Sequence, residues 1–153
     1  MADLDGALEA SHPDNFRKYP MMIACAAVIV RDGKLLLACG PYGFWSGVGG
    51  WVEEGERPED AILREIREEL GVEAEVTEVL HPFLEWRAFN ASDGSGFLLF
   101  LYRVRLLSWD FTLQESEVKE VRWTAPDDWA DLPMMPYVRE TLEERADEWL
   151  ATG

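Results

Sequence analysis

At 153 residues, with 48% hydrophobic and 12% aromatic content, the chain is long enough for one domain with a filled core and too apolar to stay disordered. Its formal net charge of −16 opposes binding along a nucleic-acid backbone, which needs clustered Lys and Arg, so no nucleic-acid duplex is expected as a partner. No apolar run reaches the roughly eighteen residues that a membrane span requires, so no membrane partner is expected either.

Residues 1–20, MADLDGALEASHPDNFRKYP, read as an extended lead-in with few periodic apolar positions. They lack the basic start and apolar core of a signal peptide, which makes a cytoplasmic address the expectation. A single domain is expected over 21–150. The apolar run MMIACAAVIV at 21–30 reads as a strand. Asp32-Gly33 suits a two-residue hairpin turn into LLLACG. The stretch PYGFWSGVGG, rich in Gly and aromatics, reads as loop or short strand. Pro58 can open a helix and Gly71 can close it. Further strands are predicted at 72–80, 83–89, 97–106 and 118–123, with NASDGSG at 90–96 as a loop between two of them. The last segment, 136–150, carries helical spacing at Val138, Leu142, Ala146 and Leu150. This order implies a mixed sheet covered by helices, in one layered α+β domain. Cys25 and Cys39 form no CxxC pair and follow strand-like sequence, so both read as buried free thiols. His12 and His81 show no zinc-like spacing and read as surface or loop residues.

The segment GGWVEEGERPEDAILREIREELGV, 49–72, crowds carboxylates together. At about 100° per residue, Glu65, Glu68 and Glu69 fall within roughly 100° of one another on a helix. Ile62, Leu63, Ile66 and Leu70 form a separate stripe facing the core. Two readings compete for the glutamates, a solvated helix face and a cage for a cation. Glu65 and Glu69 are like charges at i and i+4, a destabilising arrangement worth about 0.2–0.5 kcal/mol. Arg64 with Glu68 is the helpful pair. A divalent cation would reverse the repulsion, and a carboxylate set with no soft ligand suits Mg²⁺ or Mn²⁺. The glycines at 47, 49 and 50 either let the backbone approach such a cation and phosphates or simply serve a turn.

The spacing adds a motif: Gly50, five residues, Glu56, seven residues, then Arg64-Glu65-Ile66-Arg67-Glu68-Glu69-Leu70-Gly71-Val72. This resembles the Nudix box of MutT-like hydrolases over 50–72, and the flanking strand pattern extends the likeness loosely over 21–150. The resemblance implies an α/β/α sandwich. It also implies hydrolysis of the pyrophosphate linkage in a small-molecule nucleotide substrate, with Mg²⁺ or Mn²⁺ as cofactor. That substrate would be a nucleoside triphosphate, dinucleoside polyphosphate or nucleotide sugar. By the same likeness Glu65, Glu68 and Glu69 would ligate the metal, with the carbonyl of Gly49. Arg64 would orient the carboxylates, and Glu56, Gly50 and Gly71 would be structural. Two departures stand out. GVGG replaces the more frequent Leu-Pro-Gly-Gly, and Arg57 stands where many members place a Ser or Thr N-cap.

In several members the general base is a glutamate on a loop before the last strand. LQESEVKEVRW offers Glu117 first, then Glu115, with Glu120 a further choice. A solvated strand edge is the competing reading, and a box glutamate is another candidate base. Phe44, Trp45, Trp51, Trp86 and Phe89 would flank the site, either sandwiching a base or filling the core. Arg87 or Arg103 would contact phosphate or sit solvated on a strand. The proline associated with ADP-ribose hydrolases and the tyrosine associated with diadenosine polyphosphate hydrolases are not evident. A catalytically silent nucleotide-binding regulator is the competing functional class. An isopentenyl-diphosphate isomerase would need a cysteine and a glutamate in contexts that this chain does not offer. The oligomeric state is left open, a homodimer included.

Overall fold

The computed structural model describes residues 21–80 and 96–151. The lead-in with His12, and residues 81–95 with His81, Trp86, Arg87, Phe89, the 83–89 strand and nearly all of the 90–96 loop, lie outside the described residues.

The run at 21–30 breaks at Ile29 into strands β1 (Met21–Val28) and β2 (Val30–Arg31). Asp32 and Gly33 then turn the chain with φ of 51° and 72°, the positive pair that a type I′ hairpin needs. Strand β3 (Lys34–Cys39) follows, then the short strands β4 (Trp45–Ser46) and β5 (Gly49–Trp51). Helix α1 spans Pro58–Leu70, β6 spans Ala74–Val79 and β7 spans Gly96–Leu106. Strand β8 (Glu120–Thr124) leads through a 3₁₀ turn (Pro126–Asp131) to helix α2 (Pro136–Ala151). Two edges differ from expectation. Val72 belongs to the core rather than to β6, and Val118 is a buried loop anchor that delays β8 by two residues.

The strands form two sheets. One has the order β5-β1-β7-β6, with β1 parallel to β7 and the outer pairs antiparallel. In the other, β3 pairs with β2, β4 and β8, all antiparallel. Helices cover both faces, which is why β1 and the first part of β7 read as apolar runs, with Arg103 and Arg105 only toward the end of β7. Cys25, Ala27, Tyr102, Val104 and Leu106 meet Ala61, Ile62, Ile66 and Leu70 of α1. The alternate residues Val28 and Leu101 meet Val138, Leu142, Ala146 and Trp149 of α2. The result is an α/β/α sandwich. In α2 the deepest aromatic is Trp149, with the predicted Leu150 only partly buried against it. Among the described residues no helix is long and apolar enough to cross a membrane.

Candidate active site

Helix α1 starts with Pro58 at its first turn and no side-chain cap from Arg57. It ends at Gly71, whose φ of 70° lets its N–H reach the carbonyl of Arg67. Two further carbonyls of the last turn, of Leu70 and Glu69, accept from Thr112 N–H at 2.8 Å and Gln114 N–H at 3.1 Å. The segment after β7 thus caps the helix and runs on to Glu117, whose neighbour Val118 is buried as an anchor. That capping has no signature in the sequence of 107–119, because the donors are backbone groups.

Three carboxylates meet where α1 faces this segment. Glu65, Glu69 and Glu117 each bring one oxygen within 4.8 Å of the others. Glu65 and Glu69 are buried, at 8% and 7% exposure, while Glu117 is exposed. Burial pushes the Glu69 carboxyl up to about 8, helped by the charges of Glu65 and Glu117 and opposed by an N–H from Gly49. Burial likewise raises Glu65, against the pull of Arg64. Glu68 stands apart from this trio. Its carboxylate is half-exposed and accepts from Arg64 Nη1 at 3.1 Å. One Arg64 nitrogen bonds both Glu65 and Glu68, so the three glutamates share one side of α1, with Glu68 at its exposed edge. Glu115 is exposed and outside the trio, and Glu120 accepts from Arg122 at 2.8 Å on β8.

Arg64 organises the loop before the helix. Its Nε and Nη2 donate to both oxygens of Glu56, at 2.7 and 3.0 Å. Nη2 also reaches the Trp51 carbonyl, and Nη1 reaches Glu65, each at 3.1 Å. The paired guanidinium holds the Glu56 carboxyl below its ordinary range. Glu56 in turn accepts the Glu53 N–H at 3.1 Å, closing the loop 53–56 on itself. The Trp51 carbonyl is a partner of Arg64 that the sequence does not disclose.

Gly49 and Gly50 are required by the protein's own packing. A Cβ on Gly49 would stand 2.0 Å from the Cys25 carbonyl oxygen, and one on Gly50 would stand 2.5 Å from Glu65 Oε1. The Gly49 N–H donates to Glu69 at 3.3 Å. Beneath them the Cys25 thiol donates to the Gly50 carbonyl at 3.5 Å, and burial pushes it up to about 11. Both thiols are free, but Cys39, the last residue of β3, is only half-buried.

The aromatic candidates divide. Trp45 is 5% exposed within the α2-side core, with the Arg122 guanidinium 4.8 Å from its ring. Its ring is a packing surface rather than a platform for a base. Trp51 is 49% exposed on β5, an edge strand. Arg103, on β7, donates to Glu78 and to the Trp149 carbonyl, far from the carboxylates in sequence and bound to α2.

The carboxylate trio fits a hard divalent cation, since three acidic oxygens crowd together and two of their residues are withdrawn from water. Comparison with known proteins agrees in kind. The Nudix domain model matches residues 21–145. A CTP pyrophosphohydrolase of Escherichia coli K12 is 36% identical over 121 residues, covering 76% of this chain and 84% of that protein. An NAD-capped RNA hydrolase of Pseudomonas putida is 30% identical over 91% of this chain, which spans only 48% of that longer protein. A crystal structure of a UDP-X diphosphatase superposes with a TM-score of 0.68 at 27% identity, covering 99% of this chain and 73% of that one. The family model, the pyrophosphohydrolase relative and the sandwich with its box on a loop and helix agree, and the chain belongs to the Nudix family of hydrolases.

Proposed function

We infer that this chain hydrolyses the pyrophosphate linkage of a nucleoside triphosphate with Mg²⁺ or Mn²⁺, CTP being the first substrate to test. The observation that carries this reading is the trio of Glu65, Glu69 and Glu117, with two of the three buried side by side on α1. The CTP pyrophosphohydrolase relative supports the substrate class, because it matches most of both chains. Glu65 and Glu69 would hold the cation, with Glu68 and the Gly49 carbonyl completing its ligands. When bound, the cation supplies charge that neutralises the diphosphate oxygens. Arg64 keeps Glu65 and Glu68 in position through its bonds to Glu56 and Trp51. Glu117, exposed beside the buried pair, would take the proton from the attacking water.

A product-mass screen over CTP and other nucleotides, with each cation, tests the reading. CTP should give CMP and pyrophosphate. Glu69→Gln should lower kcat by orders of magnitude with the fold retained. Glu117→Gln should lower it by about 10²–10⁴ and change cation affinity far less. Full activity in Glu117→Gln would remove it as the base. Tight nucleotide binding without turnover in the wild type would favour a silent regulator instead.

A further inference from the structure

Glu117 differs from its two partners in how it is held. Glu65 and Glu69 stand on α1, whereas Glu117 is an exposed side chain on a turn between β7 and β8. A carboxylate in that setting ordinarily moves with its loop. Here the backbone around it is tied in three directions. Its own N–H donates to the Gln114 carbonyl at 2.9 Å, and the Val118 N–H donates to the same oxygen at 2.8 Å. The Lys119 N–H donates at 2.9 Å to the carbonyl of Cys39, the last residue of β3. Val118 is 2% exposed in the α1-side core, and Leu113 packs against that core just before the turn.

Gln114 is the junction of these ties. Its N–H donates to the Glu69 carbonyl at 3.1 Å, while its carbonyl accepts the N–H groups of Glu117 and Val118. The backbone of one residue therefore connects a buried glutamate of the trio on α1 to the exposed one on the turn. The bond from Thr112 N–H to the Leu70 carbonyl, at 2.8 Å, lies beside it and keeps the segment in register with the helix end. Gly71 admits this close approach, because a Cβ there would stand 3.0 Å from both Cβ and O of Thr112. The Gln114 side chain is exposed, so the link consists of main-chain groups. Such a link fixes a reacting group before substrate arrives, and displacing a reacting group by about 1 Å can cost about 10²-fold in rate.

We propose that Gln114 is a positioning residue for the hydrolysis: its main chain sets the distance of the Glu117 carboxylate from Glu65 and Glu69, with Val118 holding the register of the turn. This rests on the function inferred above, in which Glu117 takes the proton from water. Gln114 acts only through Glu117, and its side chain is dispensable.

The test is a double-mutant cycle. Gln114→Pro removes the N–H to Glu69 and keeps the carbonyl, Gln114→Ala keeps both, and each is combined with Glu117→Gln. CTP hydrolysis in Mg²⁺ reads kcat and KM, calorimetry reads Mn²⁺ binding, and amide hydrogen exchange reads the turn. Gln114→Pro should lower kcat about 10²-fold with KM and Mn²⁺ affinity near wild type, and Gln114→Ala should match wild type throughout. In the Glu117→Gln background Gln114→Pro should bring no further loss, because residues that act as one unit are not additive. Exchange at the Glu117 and Val118 amides should quicken in Gln114→Pro while that of β1 and β7 stays slow. Full rate in Gln114→Pro, an equal loss in Gln114→Ala, or the same loss with and without Glu117 would overturn the proposal. If Gln114→Pro does not fold, Val118→Ala takes its place in the cycle with the same expectations, and Val118→Ile should restore the rate. If the wild type hydrolyses no nucleotide, the hydrolytic reading falls and exchange decides the link by itself. Faster exchange at Glu117 and Val118 in Gln114→Pro then keeps the positioning of Glu117, and unchanged exchange overturns it too.

Discussion

Glu69 concentrates the electrostatic tension of the site. It is 7% exposed, and its carboxyl is pushed up to about 8 by burial and by Glu65 and Glu117. An unfolded glutamate titrates near 4.3. Between those values the folded, cation-free protein holds a proton that the unfolded chain releases. This group's contribution to stability is therefore highest at the acid end and declines as pH rises toward 8. Glu65 acts in the same direction. Glu56, lowered by Arg64, acts in the opposite one, its contribution being lost as pH falls. Denaturant unfolding in EDTA from about pH 5 to 8 should show Glu69→Gln flattening the decline relative to wild type. An identical slope in both proteins would show that Glu69 does not carry it. Mn²⁺ competes with the same proton, so its affinity should rise across this window.

Helix α1 divides its labour by face. Ala61, Ile62, Ile66 and Leu70 are fully buried at 0% exposure, and this packing, rather than capping, secures the helix, since Arg57 supplies no side-chain cap. Ile66→Ala should cost about 2–5 kcal/mol, the range for truncating a buried aliphatic side chain. Glu68→Gln should stay within about 0.5 kcal/mol of wild type, because an exposed i,i+4 pair contributes little and Arg64 keeps both bonds to Glu56. Urea midpoints distinguish the two. A loss well under 1 kcal/mol for Ile66→Ala would mean that α1 is not seated on the sheets as described.

Across the whole molecule the charge of −16 makes every cation mildly stabilising by screening self-repulsion. A site-bound cation would add to this, because it would offset the crowded charges of Glu65 and Glu69 on α1. At 100 times its Kd, Mn²⁺ should add about 2.7 kcal/mol over NaCl at matched ionic strength, read as a rise in Tm. The double variant Glu65→Gln, Glu69→Gln should keep the response to NaCl and lose the Mn²⁺ increment. Equal responses to both salts in the wild type would leave screening as the sole effect.

The sequence by itself determined the features whose physics is local. The positive-φ turn at Asp32-Gly33, the helix from Pro58 to Gly71, its apolar stripe and the Arg64–Glu68 pair all depend on residues within a few positions of one another. The box spacing, equally local, sufficed for the family. Tertiary structure decided the rest, because it depends on atoms brought from elsewhere in the chain. The trio formed with Glu117 rather than Glu115, since Val118 is buried and backbone donors at 112 and 114 cap α1. Glu68 turned outward while Glu65 and Glu69 went under the loop. Trp45 entered the α2-side core, and Gly50 had to be glycine because Glu65 occupies the space beside it. No periodicity encodes these outcomes, since each is a matter of which surface arrives opposite a given side chain once both sheets are in place.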